Sequence, residues 1–156
     1  MGPQGPAGAD GAVGPAGPQG PTGLSGHTAA VVLGSSYFNV ATGNNAITYV
    51  GIGESNGTEN KVAIASPLGG TVSGFRVRSN VAPDNGGGTQ AYTVTLRLNN
   101  ASTTLTCTLS ETTTSCSDTV NTAAITAGNA MAVMVQESGT GTPIAVSVTW
   151  SLTISE

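Results

Sequence analysis

Glycine recurs at every third position at the start of the chain: Gly2, Gly5, Gly8, Gly11, Gly14, Gly17, Gly20, Gly23 and Gly26. The triplets run in phase from Gly2-Pro3-Gln4 to Gly26-His27-Thr28 and then stop. This strict period is the requirement of the collagen triple helix, whose crowded axis admits no side chain where three polyproline-II chains meet. A flexible Gly/Pro linker has no reason to keep a period. Residues 1–28 are therefore expected to form a short collagen-like stalk, and such a stalk takes three chains. At about 3 Å per residue it would extend on the order of 80 Å.

The triplets also carry a weakness. Proline fills the position after glycine five times (Pro3, Pro6, Pro15, Pro18, Pro21) and the third position never, so there is no proline in the place that animal collagens hydroxylate. The segment holds one acid, Asp10, and no Lys or Arg, so ion pairs between chains cannot support it. Ordering the backbone costs roughly 1–2 kcal/mol per residue. Some other part of the molecule is expected to hold three chains in register.

From Ala29 to Glu156 the chain obeys a different rule. Ser and Thr make up 35 of these residues and Asn a further 11, while good helix formers are scarce. Apolar residues alternate with period two, the signature of strands. Ile144, Val146, Val148, Trp150, Leu152 and Ile154 share one face of the C-terminal run, with Ala145, Ser147, Thr149, Ser151 and Thr153 on the other. In 90–98, Tyr92, Val94, Leu96 and Leu98 point one way and Thr93, Thr95 and Arg97 the other. Further strands are expected over 30–33, 36–41, 46–52, 61–66, 70–79, 103–109, 114–117, 120–125 and 130–136. Asn99-Asn100 and Ala127-Gly128-Asn129 read as tight turns, 84–88 as a longer loop, and Pro67 and Pro143 as strand starts. About ten short strands in this length predict an all-β, jelly-roll-like antiparallel sandwich as a head over 29–156.

Two runs are apolar on both faces: Ala29–Leu33, which follows the stalk directly, and 131–135, where Met131 and Val133 alternate with Ala132 and Met134. An antiparallel strand normally keeps one face solvated. Met131, Val133 and Met134 are accordingly expected to face another subunit of a homotrimer; a covering loop is the alternative. Cys107 and Cys116 flank a segment that a two-residue turn at Glu111-Thr112 would fold into a hairpin. In that register they form a non-hydrogen-bonded pair, close enough for a disulfide.

Charge and residue inventory exclude much chemistry. The chain is 8% charged, with four Lys+Arg and a formal charge of −4, far from the basic footprint that nucleic acid requires. No apolar run approaches the roughly 20 residues of a membrane span. No Ser or Cys has a partner base and no carboxylate pair stands out, so no enzyme activity and no cofactor are expected. His27, the one histidine, falls in the last triplet and is expected to point outward into solvent. Arg76 and Arg78 share a strand face and, with Arg97, are candidates for an acidic ligand or for carboxylates of a neighbouring subunit. Asp84, Asp118 and Glu137 are isolated loop acids that could contribute to calcium binding.

The stalk running into an all-β domain resembles bacterial and phage collagen-like proteins with C-terminal trimerising heads. The head, through Val94–Arg97, Cys107, Cys116, Ala127-Gly128-Asn129 and Val148–Ile154, is similar to the jelly roll of the C1q and tumour-necrosis-factor superfamily. The resemblance implies a homotrimer whose head sets the register of the stalk and displays a binding surface. It implies a structural or adhesive protein outside the cell or on a spore, with a host-surface or glycan ligand as partner. The start Met1-Gly2-Pro3 has no export-signal pattern. The expectation is therefore a piece of a longer surface protein or, alternatively, a phage tail-fibre or virion module. A lectin-like head is the remaining reading.

Overall fold

The computed structural model describes residues 1–19, 29–36, 45–83, 89–140 and 144–156. Residues 1–19 carry no helix or strand and are exposed throughout. The other described residues form eleven strands: β1 (Ala29–Ser35), β2 (Ile47–Val50), β3 (Ser55–Asn56), β4 (Ile64–Ala65), β5 (Gly70–Ser79), β6 (Ala91–Leu98), β7 (Ala101–Ser110), β8 (Ser115–Asp118), β9 (Ala123–Ile125), β10 (Ala130–Ser138) and β11 (Val148–Ser155). A 3-10 turn spans Glu59–Lys61.

Two antiparallel sheets face each other. One has the order β1-β11-β5-β8, with β9 also on β5; the other has the order β3-β2-β10-β6-β7, with β4 also on β10. The alternation read from the sequence supplies the filling. β11 turns Val148, Trp150, Leu152 and Ile154 inward, β6 turns in Tyr92, Val94 and Leu96, and β10 turns in Met131, Val133 and Val135. Full burial of such a side chain contributes roughly 1.5–3 kcal/mol. The fold is an all-β antiparallel sandwich.

The turn at Asn99-Asn100 joins β6 to β7 with Leu98 opposite Ala101. Both asparagines adopt positive φ, 50° and 64°, as a two-residue turn between twisted strands requires. The run 61–66 shortens to Ile64–Ala65, behind the 3-10 turn. Most of the strand expected at 36–41, the loop 84–88, Pro143 and Gly20 to Thr28 lie outside the described residues.

β5 contains a break in phase that decides which face its arginines take. Val72 is buried, and strict alternation would turn Gly74, Arg76 and Arg78 inward after it. Instead Phe75, Val77 and Ser79 are buried and the arginines are exposed. The register against β11 shifts between Ser151 and Thr153, and Gly74 sits at φ 62°. One extra residue in the strand, at a backbone conformation that suits glycine, flips the pattern. Two cations are thereby kept out of the core.

Three expectations change. Met131 and Val133 are fully buried inside the single sandwich, so neither offers surface to another subunit. The opposite face of β10 is covered from within the chain. Ala132 lies across from Arg97, Met134 across from Tyr49, and Arg97 reaches over to Glu59 in the 3-10 turn. Met134 is half-buried there. The cysteines bond, with Cα atoms 5.7 Å apart, but not across a hairpin. Cys107 pairs in register with Val94 of one sheet and Cys116 with Val77 of the other. After the turn in which Ser110 O accepts from Thr113 N, the chain crosses between sheets. The disulfide therefore joins edge strands β7 and β8 and closes that side of the sandwich. On the other side Ser35 N donates to Gly51 O, bringing β1 to the second sheet.

Tyr92 is fully buried, and its hydroxyl donates to Ile144 O. Burial, with a smaller push from the Glu137 carboxylate, raises its phenol from 10.0 to about 12. Between those values the unfolded chain has released the proton and the folded chain has not, so stability falls as pH rises across that window. Urea midpoints of the wild type should drop between about pH 9 and pH 12, and those of Tyr92→Phe should drop less. Equal drops would show that Tyr92 does not set the alkaline limit.

Candidate functional site

The outer face of the β1-β11-β5-β8 sheet carries a shallow groove of about 770 Å³. Strand register builds it as two rows. Leu33, Ser151, Arg76 and Ser117 lie side by side across the four strands, and Ser35, Thr149, Arg78 and Ser115 form the next row. At about 4.8 Å between strands, some 10 Å separate the Leu33 backbone from that of Arg76. Ile52, bridged to Ser35 from the other sheet, closes the apolar end. Leu33 is 63% exposed and Ile52 60%, so the groove has an apolar end open to solvent.

The floor is firm because of a glycine. Trp150 is in register with Gly34, and its indole occupies the space where a Gly34 side chain would be. A Cβ on Gly34 would overlap ring atoms Cε2 and Cζ2 of Trp150 and the carbonyl of Gly51. The ring thus lies beneath β1, 2% exposed.

The groove holds two of the four cations in the chain. Among the described residues neither the Arg76 nor the Arg78 guanidinium meets a carboxylate or any other acceptor. They stand two residues apart on one strand face, so their charges repel rather than compensate. Around them are the hydroxyls of Ser115, Ser117 and Ser151, and Thr149, which donates to Arg78 O. This arrangement can take an anion against the arginines, a hydrogen-bonding body across the hydroxyls and an apolar face at Leu33 and Ile52.

The chain matches no protein-family model and no curated protein.

Arg97 does not join the other arginines. It lies on the outer face of the opposite sheet, where Nε donates to Glu59 Oε2 at 2.8 Å, Nη1 to Ser102 Oγ at 2.9 Å and Nη2 to the Asn100 carbonyl. Its carbon Cζ sits 5.8 Å from the centre of the Tyr49 ring. These contacts tie the 3-10 turn to the sheet and leave Arg97 committed within the chain. Asp118 is likewise a loop staple: Asn121 donates from both its side chain and its backbone, and Thr106 and Val120 donate from theirs. These bonds, led by the Asn121 side chain, lower its carboxyl from 3.8 to about 2. Glu137 is buried inside the sandwich, and Asp84 lies outside the described residues. No three His, Cys, Asp or Glu among the described residues gather as a metal site.

The sequence placed Arg76 and Arg78 on one face. It did not mark Leu33 or Ile52 as their neighbours, because that proximity depends on β1 pairing with β11 and on Ile52 reaching Ser35. The isolated Gly74 in a strand run was the available sign of a bulge.

Proposed function

We propose that this chain is one subunit of a homotrimeric, non-enzymatic surface protein, with a collagen-like stalk over 1–28 and a trimerising head over 29–156. In this reading the head assembles first and concentrates the three stalk strands, which then wind from the head outward. The head also displays a binding surface. The protein works outside the cell, on a cell or spore surface, where an oxidising milieu suits the Cys107–Cys116 bond.

The observation that carries this reading concerns the glycines. At Gly2, Gly5, Gly8, Gly11, Gly14 and Gly17 an added Cβ would meet nothing within 4 Å in the single chain. Nothing inside one chain demands glycine at these places, yet the sequence keeps it at every third position. Crowding by other copies supplies the demand. Supporting features are β1, which follows the stalk directly and leaves Val31 68% exposed, and the sheet layout. Among the described residues, and without the short strands β3, β4 and β9, eight strands remain, four to a sheet, the count of a jelly roll of the C1q and tumour-necrosis-factor kind.

Sedimentation equilibrium of the whole chain should give three times the 15.2 kDa chain mass. Gly14→Ala should lower the melting of a collagen-type circular dichroism signal and leave the unfolding of the head in place. A monomeric mass, or loss of stalk and head together in Gly14→Ala, would overturn the two-part reading.

A further inference from the structure

We propose that the groove over β1, β11 and β5 binds an acidic glycan, with Arg76 and Arg78 holding its carboxylate or sulfate groups. This deepens the proposed function by naming the ligand class of the displayed surface; it rests on that part of the reading and not on the number of chains.

The charge pattern sets the sign of the ligand. The chain is poor in charge and net negative, yet half of its cations stand adjacent in one groove without an acceptor among the described residues. Arg97 shows the contrast, since each of its three guanidinium nitrogens donates, to Glu59, Ser102 and the Asn100 carbonyl. A planar guanidinium presents paired N–H donors that match a carboxylate or sulfate. Two of them, about 7 Å apart along the strand, suit acid groups repeated along a polymer or two oxygens of one bulky anion.

The rest of the groove sets the class. It lies on the face of four paired strands, where the backbone N–H and C=O groups are already used in the ladders. A peptide adding as a strand finds no partners there. What the face offers is side chains: hydroxyls at Ser151, Ser115 and Ser117 beside the arginines, the aliphatic surface of Leu33 two strands or about 10 Å away, and that of Ile52 at the β1 edge beyond it. Sugar rings have this mixed character, with hydroxyl edges and C–H faces, and the span accommodates about two of them. The buried indole beneath Gly34 backs the face from inside, and strands already paired on the ladder lose little entropy on binding.

The test uses the whole chain and immobilised polygalacturonate, heparin and dextran, read by surface plasmon resonance. Polygalacturonate offers carboxylates, heparin adds sulfates, and dextran is neutral. At least one acidic polymer should bind and dextran should not. Arg76→Gln and Arg78→Gln should each weaken binding about tenfold, and the double variant should fall to background while keeping its β-sheet circular dichroism. Lys61→Gln removes an equal charge from an exposed site on the 3-10 turn and should bind as wild type. Binding should fade toward 1 M salt, where screening acts within about 3 Å. Failure of both acidic polymers to bind would overturn the proposal, as would an equal loss in Lys61→Gln. Arginine-dependent binding of poly-glutamate as tight as that of the glycans would overturn it in favour of an acidic peptide. A changed solution mass in the double variant without any wild-type glycan binding would overturn it in favour of a contact between copies. Arginine-dependent glycan binding by a monomeric chain would leave this inference standing and remove the trimer.

Discussion

Replacing Trp150 with alanine is expected to destabilise the head by about 3–5 kcal/mol, the range for emptying a large aromatic site in a packed core. The indole is 2% exposed and lies beneath β1, in space that Gly34 leaves open. Gly34 has no side chain to fill the space the ring would leave against β1, so the cavity should collapse only in part. The strand resting on the ring is also the one that follows the Gly-X-Y triplets in sequence. Urea unfolding at fixed protein concentration, followed by sheet circular dichroism, measures the change; the concentration must be held because assembly shifts apparent stability. A loss under about 1 kcal/mol would mean that the ring contributes no more than an ordinary partly exposed side chain.

Removing the disulfide should come next in size. Cys107→Ser with Cys116→Ser opens a link of sequence separation 9, for which the chain-entropy relation gives about 2–3 kcal/mol. The strands themselves should persist, because β7 remains paired with β6 and β8 with β5. What is lost is closure along one side. Intact mass should rise by about two daltons per chain on reduction, and an unchanged mass would show that the thiols are free.

The sequence made the fold class readable because period-two alternation in β6 and β11 survives in the burial of those strands, and because Asn99-Asn100 can supply the positive φ of a tight turn between such runs. The sheet to which each strand belongs was not readable. The segment from Cys107 to Cys116 has the spacing of a hairpin, and only the crossing after Ser110 reveals two sheets. Met131 and Val133 looked available to a partner because β10 is apolar on both faces. The cover of the second face comes from Tyr49, Glu59 and Arg97, which are distant in sequence; the Arg97–Glu59 ion pair is announced by no local pattern. At the candidate site the arginine pair was legible from spacing alone. Its apolar end was not, since Leu33 and Ile52 meet it only through pairing with β11 and the contact at Ser35.

The pairing of β1 with β11 also fixes how the head bears tension. A pull on Ala29 directed along the strand acts on the seven register pairs from Ala29 with Ser155 to Ser35 with Thr149 together, like a lap joint in shear. Peeling would break such pairs one at a time; shear requires them to slide in concert. The next strand inward, β5, carries the arginine pair, so an acidic ligand of the kind proposed would be held two strands from the point of pull at Ala29. The Cys107–Cys116 link lies beyond that path. A molecule anchored through its N-terminal end could hold a surface while the covalent clasp, and the half of the sandwich behind it, stay unstrained.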